Sequence, residues 1–107
     1  MMIRYYIGNF FAGLFLCNAI PHLASGLRGE RFPTPFAKPH GVGLSSARVN
    51  FVWGFVNLVA GMVLWSVSGV VIGLNLGFGL FLAGFALIGV LMARHFEAVR
   101  LGKKDKS

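Results

Sequence analysis

From Val49 to Ala93 the chain has no Asp, Glu, Lys, Arg or His. That is roughly 45 residues, about twice what one helix needs to cross a bilayer. So long an uncharged run excludes an ordinary solvated surface there and predicts two consecutive membrane spans. Acid is scarce everywhere: Asp and Glu number 3 against 10 Lys and Arg, for a formal net charge of +7. No Asp, Glu, Lys or Arg falls in the middle of any apolar stretch, which argues against the buried ion pairs and proton relays of ion-coupled transporters. The single cysteine, Cys17, excludes a disulfide framework and a paired-thiolate metal site. His22, His40 and His95 include no pair at helical ligand spacing, and no Ser-His-Asp set or phosphate-binding glycine loop is present. The expectation is therefore no metal, no cofactor and no assigned catalytic set.

What is present is apolar and small. The 107 residues are 56% hydrophobic with 15 glycines, a composition suited to helices that pack in lipid. A third apolar stretch, from about Ile3 to Ala24, precedes the uncharged run; it is too long for the apolar core of a signal peptide and ends in Pro21-His22. The predicted fold is all-α, an integral membrane bundle of three transmembrane helices forming a single domain over 1–107. Spans are placed at about 3–24, 47–66 and 69–92, with a Pro/Gly-rich loop at 25–46 and a basic tail at 94–107. Gly26 is expected to cap the first span, and Ser45 or Ser46 the second. Ser66-Val67-Ser68-Gly69 reads as a tight connection, making the last two spans an antiparallel hairpin.

Charge distribution sets the topology. Arg28, Arg31, Lys38 and Arg48 follow the first span, and Arg94, Arg100, Lys103, Lys104 and Lys106 follow the third, whereas the N-terminus carries Arg4 alone. Three spans put the loop and the tail on one side, and the positive-inside rule makes that side cytoplasmic, with the N-terminus out. The basic residues therefore suit anionic lipid headgroups, and no nucleic-acid partner is expected.

Within the spans, small and polar residues mark contact faces, because lipid supplies little hydrophobic drive for helix association. Asn50, Gly54, Asn57 and Gly61 fall on one stripe of the second span; Gly69, Gly73 and Gly77 form a doubled Gly-x-x-x-Gly in the third; Asn18 and His22 share a row of the first. These residues are read as helix packing or as a polar lining. The leading functional expectation is helix–helix assembly, as a homo-oligomer or as a subunit with other membrane proteins. A second is a lipid or hydrophobic-anion site, binding or enzymatic, at the cytoplasmic boundary, built from His22, Arg28, Glu30, Arg31 and His40. A third is a small oligomeric channel lined by Asn50 and Asn57.

The segment Gly29-Glu-Arg-Phe-Pro-Thr-Pro-Phe-Ala-Lys-Pro, with Gly43-Leu-Ser-Ser and Val49-Asn-Phe-Val-Trp-Gly after it, resembles a block in a family of small uncharacterised bacterial multi-pass membrane proteins. The resemblance covers His22 to Gly54. It implies a bacterial inner-membrane setting and brings no catalytic residue.

Overall fold

The structure, a computed structural model, describes residues 2–102. Three helices dominate: α1 (Met2–Leu27), α2 (Ala47–Val67) and α3 (Leu76–Arg100). Each is long and apolar enough to cross a membrane. Between α1 and α2 lies a minute antiparallel pair, β1 (Phe32–Pro33) with β2 (Leu44–Ser45), in which Phe32 faces Ser45 and Pro33 faces Leu44.

Helix α1 is the central element. Both α2 and α3 pack on it, and they scarcely meet each other. Close approach to α3 depends on Gly13 and Gly84, where an added Cβ would run into the Phe81 and Phe10 carbonyls respectively. The approach to α2 uses Gly26 and Gly54, where a Cβ would lie 2.7 Å from the Phe51 and Leu23 backbone nitrogens. Small residues let these backbones touch, and in lipid such packing replaces the missing hydrophobic drive. The side chains buried between helices are correspondingly small or polar: Ala12, Ala19, Asn9, His22, Asn50 and Asn57.

The helix ends differ from the expected ones in two places. Helix α1 runs through Pro21 and past Ala24 to Leu27. Gly26 stays helical because it is pressed against α2; the left-handed residue is Gly29, at φ 70°, and the Glu30 N–H closes back onto the Ser25 carbonyl over 2.9 Å. Helix α3 begins at Leu76 rather than near Gly69, capped by the Asn75 carboxamide, which accepts from the Phe78 N–H over 2.7 Å. Gly69 and Gly73 thus lie in the 68–75 connection, with φ of 62° and 154°, so no doubled glycine row forms on a helix. At the start of α2, Ser46 is the cap, its hydroxyl accepting from the Val49 N–H over 3.2 Å.

Candidate functional site

The second-span stripe faces α1. Asn57 Oδ1 accepts from Asn18 Nδ2 over 2.9 Å, while Asn57 Nδ2 donates to the Trp53 carbonyl over 2.9 Å. Two turns closer to the start of α2, Asn50 is fully buried, at 0% exposure, and ties three segments together. Its Nδ2 reaches the carbonyls of Phe32 at 3.0 Å, Ser45 at 3.2 Å and Ser46 at 3.0 Å. Carbonyls accept only, so the amide nitrogen must face them and Oδ1 must face His22 Nδ1, 2.8 Å away. This assigns the tautomer: Nδ1 carries the hydrogen and donates to Asn50, and Nε2 keeps its lone pair. Around the imidazole stand Phe32, Trp53 and Phe96, with ring centroids at 5.5, 6.4 and 6.5 Å, each edge-to-face.

The loop is a folded clasp over this end of the bundle. Thr34 and Ser45, both buried, share a hydroxyl–hydroxyl hydrogen bond across its base. The Lys38–Pro39 peptide is cis, and the Gly41 N–H returns to the Thr34 carbonyl over 3.1 Å. Helix α3 holds the clasp from the other side: His95 Nε2 donates to the Gly41 carbonyl over 2.6 Å, and Phe96 packs on Phe32 at 4.6 Å. The buried Asn50 and the half-buried His95 therefore fix the same loop to two helices.

Against the outside of the clasp runs an open groove of about 630 Å³. Arg28, Arg31 and Arg100 line it with Glu30 and Glu97, a formal balance of +1 from three cations and two anions. Its apolar wall is Phe32, Pro33, Leu44, Ala93, Phe96 and Val99. Glu30 is engaged by Arg28, with Oε1 2.9 Å from Nη2 and both side chains more than half exposed. Exposed pairs of this kind contribute little stability. Arg31 and Arg100 have no ion-pair partner among the described residues.

Of the five residues expected to form a ligand site, the structure brings Arg28, Glu30 and Arg31 to one groove. It sets His22 behind that groove's wall, 2% exposed and bonded to Asn50. His40 is exposed and does not line the groove. The packing residues divide similarly. Asn18, Asn50, Gly54, Asn57 and Gly61 all meet partners inside the chain, Gly61 against Leu16, and Gly77 lies against Asn9. Gly69 and Gly73 are in the connection and meet no helix.

Sequence reasoning did not select Arg100, Phe96 or His95, which α3 carries to the clasp. They lie just beyond the uncharged run, where sequence alone reads a solvated basic extension, and only the folded loop shows what they face. Among the described residues no group of His, Cys, Asp or Glu is arranged to hold a metal ion. Compared with protein-family models, curated proteins and solved structures, the chain matches none. Any functional reading must therefore rest on the residues themselves.

Proposed function

We propose that the chain is an integral membrane protein of three spans whose basic end, clasped by the 28–46 loop, binds an anionic amphiphile from the cytoplasmic leaflet. The observation that carries this reading is the groove in which Arg31 and Arg100, free of ion pairs among the described residues, border an apolar wall of Phe32, Leu44 and Phe96. A headgroup with one negative charge suits the +1 balance, and an acyl chain suits the wall. The preference of basic loops for the cytoplasmic side supports the orientation. His22 belongs to this reading as a positioning residue: held by Asn50, it braces Phe32, which forms part of the wall.

The test is native mass spectrometry from nanodiscs containing either phosphatidylglycerol or phosphatidylcholine. The wild-type chain is expected to retain the anionic lipid selectively. Each arginine near the surface contributes about 1 kcal/mol, so Arg31→Ala with Arg100→Ala should weaken retention roughly thirtyfold. Equal retention of both lipids, or no effect of the double substitution, would overturn the reading.

Assembly is the second reading, favoured by one observation. Helices α2 and α3 do not close on each other, and Phe55, Val59, Met62, Leu82, Leu87 and Val90 remain exposed along them. A helix from a second copy or another subunit would find space there. The stripes of Asn50, Gly54, Asn57 and Gly61 do not supply that contact, because α1 already occupies them. The same spectra count subunits, and a particle that is monomeric at every detergent and lipid ratio would remove this second reading. A channel along Asn50 and Asn57 would require both carboxamides to give up their bonds within the chain, and it is the least supported of the three.

A further inference from the structure

At the end of the bundle opposite the clasp, an unmet hydrogen-bonding group sits beside a cavity. Asn9 is 4% exposed, and its Oδ1 is sealed from solvent with no hydrogen-bond partner among the described residues. Buried carboxamides are nearly always paired, and leaving one unpaired costs more than a hydrogen bond returns. Asn9 lines a cavity of about 560 Å³ together with Tyr5, Tyr6, Ser68, Asn75 and Gly77. The start of α3 opens on the same space: Leu76 and Gly77 line it, and the first N–H groups of a helix have no intrahelical acceptor. Gly77 permits this arrangement, since a Cβ there would lie 2.5 Å from Asn9 Nδ2.

We propose that this cavity is a binding site for a neutral, hydroxyl-bearing group such as a sugar or polyol. Two features define the chemistry. No charged side chain lines the cavity, so nothing in it compensates an ionic ligand. The polar atoms it offers are of mixed sense: the α3 amides donate, the tyrosine and serine hydroxyls do either, and the unbonded Asn9 carboxamide presents an N–H or, turned over, an oxygen. A hydroxyl donates and accepts through one atom, so it bonds whichever end of the Asn9 carboxamide faces the cavity while accepting from α3. Tyr5 and Tyr6 add aromatic faces beside it, and tyrosine is a residue favoured at membrane–water interfaces. The group reaches the site either as a free sugar or as the headgroup of a neutral glycolipid. The site is independent of the arginine groove, which lies at the other end of the chain.

The experiment uses the full chain in phosphatidylcholine nanodiscs, with Asn labelled by ¹⁵N in the side chain. One arm adds free methyl glucoside, and the other incorporates monoglucosyl diacylglycerol. The Asn9 carboxamide resonance, assigned by its loss in Asn9→Leu, is expected to shift in at least one arm. Affinity for that probe should fall about tenfold in Asn9→Leu, the loss of one buried hydrogen bond. A shift with the glycolipid alone identifies a lipid headgroup, and a shift with both identifies the sugar as sufficient. If Asn9→Leu does not fold, Ser68→Ala and the wild-type titration read the same effect. No shift in either arm, or equal affinity in wild type and Asn9→Leu, would overturn the proposal and leave Asn9 as an unpaired packing residue.

Discussion

Replacing Asn50 by leucine tests whether one carboxamide holds the clasp to the bundle. Leucine keeps the branching and the number of heavy atoms but has bulkier methyl groups, an overpacking cost that Asn57→Leu shares, so the difference between the two variants reads the hydrogen bonds. Asn50 bonds to His22 on α1 and to the Phe32 and Ser45 carbonyls of the clasp; the Ser46 carbonyl retains the Asn50 backbone N–H at 3.0 Å whatever the side chain. Leucine therefore orphans one imidazole N–H at a site with 0% exposure and takes a donor from two carbonyls whose residues remain paired across β1 and β2. Such an orphan costs about 1–3 kcal/mol if it stays dry. Interhelical bonds in membranes average only about 0.6 kcal/mol, because the unfolded chain in lipid also finds partners. In the proposed topology the clasp end lies near water, which can reach the carbonyls once the loop lifts, so the lower part of the range applies. The expected cost of Asn50→Leu is about 2–3 kcal/mol. Asn57→Leu is the control: it loses one bond to Asn18 and one to its own helix, and about 0.6–1 kcal/mol is expected. Unfolding in bicelles by added dodecyl sulfate, followed by Trp53 fluorescence in a Trp65→Phe background, measures both. Trp53 reports the clasp directly, with Phe36 at 5.0 Å and His22 at 6.4 Å. If Asn50→Leu costs no more than Asn57→Leu, Asn50 does not tie the loop to the helices and the reasoning fails.

Two further perturbations test the packing and the orientation. Gly84→Leu forces a side chain onto the Phe10 carbonyl and should cost about 3 kcal/mol, whereas Gly79→Ala, which meets nothing within 4 Å, should gain about 0.5–1 kcal/mol of helix stability; the same unfolding assay ranks them, and similar values would refute α1 as the central helix. His40→Cys in a Cys17→Ser background places a thiol on the exposed loop, and a membrane-impermeant maleimide should label it in inside-out vesicles and not in intact cells. Labelling of intact cells would reverse the proposed topology.

Helix number and composition were open to sequence reasoning because they depend on runs of residue types, and a charge-free run of this length admits few structures. The start of α2 was equally legible, since a serine ahead of an apolar periodic run carries its own mechanism. The start of α3 was not. Glycines at four-residue intervals suit a packed helix face and an irregular connection alike, and only positive φ at Gly69 and Gly73 distinguishes the two. Partnership was hidden for a related reason. Spacing shows that Asn50, Gly54, Asn57 and Gly61 share a face, yet a face has no label for what covers it. In this chain the covering surface is α1, whose own Asn18 and His22 form a separate row in the sequence. Setting the two rows opposite each other would have paired an amide with an amide and an imidazole with an amide, both good complements in a medium that punishes unpaired polar groups. By the same rule the residue that stands out is Asn9. Every other interhelical carboxamide, Asn18, Asn50 and Asn57, has a partner across the interface, and Asn9 alone among these has none, at the edge of a cavity. A chain that satisfies three such groups with close hydrogen bonds has no difficulty supplying a partner to a fourth, and a carboxamide left without one at the edge of a cavity points to a partner that comes from outside.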